Sequence, residues 1–579
     1  MPGLFYASAS AEVKHSPRAE ASARSAAHAS ANDGYVGSVA CSRCHAEIYS
    51  HFARTSMGRS AVPGNAQFLH TLPLPAAVYD QKSDRHFDVH VEDGKLYQSE
   101  YQLDAGGREI FRDTHAIDWV VGAGMNGMGS LIKRGDYLFE APLSYYNKTG
   151  KWDLSPGYQR GDYGFSRVIA PGCIYCHTGR PQPVAGSDGK YGNPPFTQLP
   201  VGCENCHGPG AAHVDAMGDG ESYDKGKDPT IVNPASLKSA RANDLCMSCH
   251  QTGDTRIFQP GKTYQDFRPG MSLDRVVAIL MVPPTRENPP REDHVEHSYS
   301  MMLSKCYRAT ARGPEEKQLR CITCHDPHIE PTAAEAPAYF NGKCMSCHTA
   351  QRCKEQAAVR RTTSPADNCI ACHMPKREGM AISHTSLTNH RIVGRPDEPF
   401  PDAAFAMTTA ALPDLIHLNA ASGDAGLPAV TLLKAYEQLK EQNPVYEASF
   451  LKTLSELEKS EPENAVIQAT LGHRAVLASR WDDAEQHLRE SLKLDPLQSM
   501  VYADLSTIAE QRGEAAEALA LQQKAVSLDP YNMPLQKALV LRLINAKQYP
   551  EAEAAMEKYL QEFPEDDFMR KMLAIAKSP

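Results

Sequence analysis

Fourteen of the chain's 16 cysteines stand in C-x-x-C pairs, and each pair is followed at once by histidine. The seven copies are Cys41-Cys44-His45, Cys173-Cys176-His177, Cys203-Cys206-His207, Cys246-Cys249-His250, Cys321-Cys324-His325, Cys344-Cys347-His348 and Cys369-Cys372-His373. At the chain's own Cys and His frequencies chance would yield roughly 0.02 copies, so the repetition constrains the fold more than any other feature. We number the motifs I to VII in chain order.

The spacing matches the chemistry of covalently bound haem. Two cysteines separated by two residues reach the vinyl groups along one porphyrin edge, and the adjacent imidazole falls beneath the ring as the proximal iron ligand. Zinc ribbons also use C-x-x-C pairs, but zinc does not require His directly after the second Cys. Thioredoxin-like chemistry needs one such pair, not seven. The expectation is therefore seven haem c groups, with much of the core supplied by the haems.

Acidic residues outnumber basic ones, 70 to 60, for a formal charge of −10, which argues against a nucleic-acid binder held by bulk charge. Hydrophobic residues reach 41%, enough for packed cores. The longest central apolar run, Val276 to Val282, is far too short to span a membrane. Haem c is attached after export, so a periplasmic or extracellular location is expected. The N-terminus offers only a small-residue stretch, Ala7 to Ala11, without the full apolar segment of an export signal. Residues 1–34 read as a flexible Ala- and Ser-rich lead-in containing His15 and His28.

Strand signals concentrate in residues 75–165. Phe87, Val89 and Val91 alternate with His86, Asp88 and His90, Asp93-Gly94 reads as a tight turn into Lys95–Leu103, and Asp104 to Gly107 turns the chain into Glu109–Asp113. His86 and His90 fall on the polar face of that strand. Residues 166–395 carry six motifs joined by Pro- and Gly-rich segments, so 35–395 is expected to form one heptahaem domain, with 396–427 as a linker. Beyond it, Pro462, Pro496, Pro530 and Pro564 recur every 34 residues, the tetratricopeptide period, with Ala484, Ala518 and Ala552 at matching positions; 428–579 reads as a helical solenoid. The fold class expected is mainly α with a small antiparallel β region, a haem-packed domain followed by an α-solenoid.

The chain resembles the multihaem c-type cytochromes with a C-terminal tetratricopeptide region. Its haem part is similar to relatives of the tetrahaem cytochrome that accepts electrons from hydroxylamine oxidoreductase. Beyond the seven motifs, the resemblance rests on Cys203-Glu204-Asn205-Cys206-His207-Gly208-Pro209-Gly210 with His213, on Cys324-His325-Asp326-Pro327-His328, on Trp152 to Tyr158, and on Cys372-His373-Met374-Pro375-Lys376 followed by His384 and His390. In such proteins extra histidines ligate the far face of a haem, usually not the haem of their own motif. The resemblance implies seven candidates here: Met57, His70, His213, His297, His328, His384 and His390, with His294 an alternative to His297. Relatives often carry Asn-His after the Gly-x-Gly at Gly122-Ala123-Gly124; Met125 and Asn126 stand there instead, so that histidine's role is missing. Cys306 and Cys353 lie outside the motifs and read either as one disulfide or as two buried thiols.

Two functions follow as expectations. A haem with both axial positions filled passes electrons, which gives an electron carrier whose repeats dock a redox partner, a membrane complex or further copies of itself as an oligomer or filament. A haem with an open face would give an oxidoreductase acting on a small nitrogen or sulfur compound. The C-x-x-C-K variant of the pentahaem nitrite reductases is absent from the sequence.

Overall fold

The computed structural model describes residues 34–578 apart from 123–125, 162–163, 188, 225–226, 252, 292–296, 350–352, 379–385, 396 and 422–425. The lead-in histidines, His294, His384 and most of the Gly-x-Gly segment therefore lie outside the described residues.

Two antiparallel sheets follow motif I. Strands β1 (Ala61–Pro63), β2 (Ala76–Asp80), β3 (Arg85–Glu92), β4 (Lys95–Leu103), β5 (Glu109–Ala116), β6 (Trp119–Val121), β7 (Gly127–Arg134), β8 (Tyr137–Tyr146), β9 (Lys151–Leu154) and β10 (Arg167–Val168) divide between them. One sheet runs β2-β3-β4-β5; the other runs β1-β6-β7-β8-β10, with β9 paired to β8. The alternation in β3 buries Phe87 and Val89 and leaves His86, Asp88 and His90 on the other face. Asp93 and Gly94 both take positive φ, 46° and 76°, the turn that matches the twist of a two-residue hairpin. Phe87, Val89 and Leu96 of the first sheet and Val120, Phe139, Leu143 and Trp152 of the second share one core. Gln98, fully buried, ties the sheets: its Nε2 donates to Ser130 Oγ and Leu143 O, and its Oε1 accepts from Leu143 N. The Trp152 to Tyr158 segment serves this core, Tyr158 Oη donating to Glu140 O and Gly164 O.

The β content is larger than the small region expected. A hairpin joins β11 (Arg180–Pro183) to β12 (Tyr191–Gln198), and a three-stranded sheet places β14 (Val277–Met281) between β13 (Thr255–Phe258) and the short strand β17 (Ile416–His417); β15 (Lys376–Glu378) pairs with β16 (Ser386–Thr388). Every residue of β14 is buried, because this central strand is covered on both faces; such a run has no alternation to betray a strand. The linker expected at 396–427 is also corrected. It pairs with the sheet through β17, buries Ala404, Leu412, Leu415 and Leu418, and clamps β14 through Asn419, whose Oδ1 accepts from Ile279 N and whose Nδ2 donates to Val277 O.

The C-terminal helices repeat strictly. Ala465–Leu477, Ser499–Gln511, Met533–Asn545 and Asp567–Ala576 start 34 residues apart, as do Trp481–Leu494, Ala515–Leu528 and Tyr549–Glu562. Each pair packs as an antiparallel hairpin, with Ala484, Ala518 and Ala552 buried where helices approach. Gly472 faces Leu488 so closely that a Cβ would stand 2.6 Å from its side chain. The preceding pair, Ala429–Gln442 and Glu447–Ser460, is different: Val430, Leu433, Tyr436 and Leu439 share a core with Ile257 of β13 and Ala278 and Leu280 of β14. The boundary expected at 428 thus runs through a common core. The far end of the solenoid is docked too. The Tyr531 ring lies 4.9 Å from Tyr137 and from Phe139, Arg134 Nη1 meets Glu562 Oε2 at 3.0 Å, and Arg85 Nη2 donates to Glu565 O. Among the described residues no helix is long and apolar enough to cross a membrane.

Candidate haem-binding sites

Each motif forms a helical turn, which sets its two cysteines and its histidine on one side. The backbone closes the turn by His45 N donating to Cys41 O, His250 N to Cys246 O, His325 N to Cys321 O and His348 N to Cys344 O, all at 2.8–3.0 Å. Motifs distant in sequence are held together by polar clamps. Ser38, Asn243 and Asn341 each stand three residues before the first cysteine of motifs I, IV and VI. Their side-chain oxygens accept from the backbone N–H of Cys203, Cys321 and Cys369, the first cysteines of motifs III, V and VII. Glu204, inside motif III and buried, accepts from Val36 N, Gly37 N and Gly210 N, which anchors the chain entering motif I.

The sulfurs trace an order that the sequence does not follow. Cys41 lies against Cys203, Cys206 beside Cys246 and Cys249, and Cys246 against Cys321. Cys324 neighbours Cys347, and Cys344 neighbours Cys369. The motifs thus run I–III–IV–V–VI–VII, and motif II branches from IV through Cys176 against Cys249. Cys306 and Cys353 are free; Cys306 sits near Cys324, Cys344 and Cys347, whereas Cys353 sits near Cys369, so the disulfide reading gives way to two separate thiols.

The imidazoles come in facing pairs. His45 and His213 have ring centres 6.3 Å apart at 17°, His207 and His328 6.1 Å at 16°, His250 and His297 6.2 Å at 37°, and His325 and His390 6.3 Å at 29°. Two imidazole nitrogens bound at about 2.0 Å on opposite faces of one iron, each about 1.1 Å from its own ring centre, put the centres roughly 6.2 Å apart. The donor set thus fits axial ligation of haem iron. Among the described residues no three of His, Cys, Asp or Glu converge as a zinc site requires. In each pair one ring belongs to a motif and the other is one of the distal candidates. His297 and His390 also touch each other, with centres 4.4 Å apart.

The surroundings favour neutral rings with one nitrogen free. Burial pushes His297 down to about 3, helped by His390, His250 and His325, and burial pushes His390 down to about 4. Desolvation by the surrounding protein likewise lowers His177, His207, His250 and His325, although His177, His250 and His325 keep exposed surface. His207 Nδ1–H donates to Val232 O at 2.8 Å, His373 Nδ1–H to Val393 O at 2.7 Å and His390 Nδ1–H to Thr388 O at 2.9 Å, while His213 Nδ1–H donates to Asp228 Oδ2 at 2.7 Å. Such a bond fixes the tautomer and leaves the Nε2 lone pair for a metal.

The remaining candidates are placed otherwise. Met57 is half-buried beside Ser56, whose N and Oγ donate to Glu330, and His70 is exposed on the 3-10 turn Gln67–Thr71. Among the described residues His70 makes no ring contact with a motif imidazole. His177, His348 and His373 have no facing imidazole among the described residues; His384 lies outside them. A cleft of about 150 Å³ between His51, Arg54, Thr55, Ile329 and Glu330 was not anticipated. His51 follows His45 by six residues, as His213 follows His207, a spacing that could have drawn attention to it.

Comparison with known proteins adds a partial likeness. The chain is similar to a multihaem cytochrome. Multiheme cytochrome MtrA of Shewanella baltica (strain OS185) is 25% identical over 229 residues, which cover 37% of this chain and 64% of that protein. The chain therefore spans less than two thirds of that relative's length. No protein-family model matches. Among solved structures, a crystal structure of MamA covers 24% of this chain and 80% of its own at 19% identity and a TM-score of 0.22. A thermophilic TPR protein of Thermus thermophilus covers 26% of this chain and 90% of its own at 18% identity and a TM-score of 0.21. Scores of that size bear no weight; the solenoid rests on its own 34-residue periodicity.

Proposed function

We propose that the protein is an exported electron-transfer cytochrome c that carries seven covalent haems and works in the periplasm or outside the cell. The fourteen motif cysteines attach the haems, and His45, His177, His207, His250, His325, His348 and His373 are the proximal ligands. Four distal ligands are assigned by pairing: His213 to haem I, His328 to haem III, His297 to haem IV and His390 to haem V. The four imidazole gaps of 6.1–6.3 Å carry this reading.

Bound haem supplies a one-electron iron couple at each site. The protein's own residues do the rest. With haem bound, the paired imidazoles would hold the iron from both sides at four sites, which would leave no position there for a substrate. The clamps Ser38, Asn243 and Asn341 hold motif I against III, IV against V and VI against VII. Distal histidines borne on the chain of another motif tie the row together, since His213 follows motif III and serves the adjacent haem I, and His390 follows motif VII and serves haem V, two places away.

The solenoid is the docking element for a redox partner. It touches the haem-bearing region at both ends, and its surface exposes Leu477, Leu497 and Met500 in the middle and Tyr549, Phe568 and Ile575 toward the C-terminus, each more than half accessible. Self-assembly into an oligomer or filament is the other use of that surface.

His177, exposed and without a facing imidazole among the described residues, favours a second reading in which haem II keeps an open face for a small nitrogen or sulfur compound. Electron paramagnetic resonance of the oxidised protein separates the two. Low-spin signals alone, with a pyridine haemochrome count of seven, fit the carrier; a high-spin ferric signal fits the oxidoreductase; a count below six refutes both.

A further inference from the structure

The Nδ1 atoms differ in what they meet. His207, His373 and His390 donate to backbone carbonyls, which carry no net charge. His213 donates to a carboxylate, Asp228 Oδ2, at 2.7 Å. Asp228 is fixed from both sides: its other oxygen, Oδ1, accepts from Thr230 N at 2.7 Å and from Thr230 Oγ1. The pair is largely shielded, with His213 21% and Asp228 19% exposed at the side chain. The other carboxylate beside a distal candidate is weaker. Asp326 Oδ1 stands 3.3 Å from His328 Nδ1, and both side chains are 39% exposed, so solvent screens that contact more strongly.

A full negative charge behind an imidazole pushes electron density toward the nitrogen on the far side of the ring. That strengthens its bond to ferric iron more than to ferrous iron. Outer hydrogen bonds of this kind orient the ligand and raise its basicity, and they are among the means by which a protein sets a haem potential. We infer that Asp228 is a positioning residue that lowers the reduction potential of haem I through His213, so that haem I is biased to give electrons to haem III. The inference rests on His213 being the distal ligand of haem I.

The test uses the full-length holoprotein and two variants. Asp228→Asn keeps the shape and one acceptor oxygen, which can still take the His213 Nδ1–H, but it removes the charge and turns the other oxygen, which accepts from Thr230, into a donor nitrogen. It should leave seven haems and low-spin spectra, and raise the midpoint of one haem in a spectroelectrochemical titration. The expected rise is about tenfold in that haem's reduction equilibrium, or about 59 mV for a one-electron couple. His213→Ala should turn one haem high-spin without changing the haem count, and its lost low-spin signal should be the one whose midpoint moves in Asp228→Asn. If His213→Ala stays wholly low-spin, the axial assignment fails and the inference with it. If His213→Ala behaves as expected but Asp228→Asn moves no midpoint, or itself turns high-spin, the tuning role is overturned while the assignment stands. Asp326→Asn should move a midpoint less than Asp228→Asn; a larger shift there would overturn the ranking of the two carboxylates.

Discussion

Each helix from 465 to 576 buries at least one apolar side chain, Ile467, Leu488, Leu505, Leu519, Leu543, Tyr559 and Met569 among them. The segment 304–392, which carries motifs V, VI and VII, buries among its described residues only Pro337 of that kind. The first region is held by ordinary core packing, which area burial and close contact explain. The second is held by helical turns, side-chain clamps and paired histidines. A segment of nearly ninety residues with almost no apolar core cannot offset its chain entropy through side-chain burial. Covalent haem is the apolar mass that would close that gap. The contrast teaches that one chain can specify order either by hydrophobic periodicity or by attachment chemistry, and that the two signatures look nothing alike in sequence.

Blocking haem attachment should separate the regions most sharply. In protein made without haem, 304–392 should lose its protection from hydrogen exchange and be the first part cut by protease, while 465–578 stays helical and protected. Protection of 304–392 in the haem-free protein would break the contrast. Within the solenoid, Leu488→Ala should cost about 3 kcal/mol in a denaturant titration followed by helical signal, because it empties a fully buried position packed on Gly472. Its haem spectra should not change.

A smaller effect is expected where a clamp is removed. Asn243→Ala deletes the acceptor for Cys321 N and should destabilise the haem-bearing region by about 1 kcal/mol, the usual value for a lost helix cap. The helical melt should stay where it is. A loss as large as that of Leu488→Ala would mean that the clamps outweigh core packing there.

The smallest effect is a pH dependence confined to the solenoid. His473 Nδ1 stands 2.9 Å from Asp504 Oδ2 across two repeats, and this hydrogen bond raises the histidine above its ordinary value despite partial burial. A raised folded value stabilises below the unfolded one and is lost as pH rises through the folded value. The solenoid should therefore be slightly more stable at about pH 6 than at about pH 8, and His473→Gln should flatten that slope. A slope of opposite sign would refute the assignment. The histidine is half-exposed, so the effect is modest.

Local chemistry is legible in the sequence itself. The C-x-x-C-H motifs, the Asp93-Gly94 hairpin and the 34-residue helical period each depend on residues at fixed short spacings, and a sequence displays such spacings directly. Histidines such as His213, His297, His328 and His390 could be nominated by family likeness, but not paired, because each faces a ring that belongs to another part of the chain. The same holds for the clamps from Ser38, Asn243 and Asn341, for the carboxylate of Asp228 fifteen residues beyond His213, and for the burial of β14 between β13 and a strand taken for linker. These relations arise when packing brings distant segments within a few ångströms, and no local spacing encodes which segment arrives. The sequence by itself determined that seven C-x-x-C-H motifs are present and that the C-terminal helices repeat; only the tertiary structure decided which imidazole faces which and in what order the motifs touch.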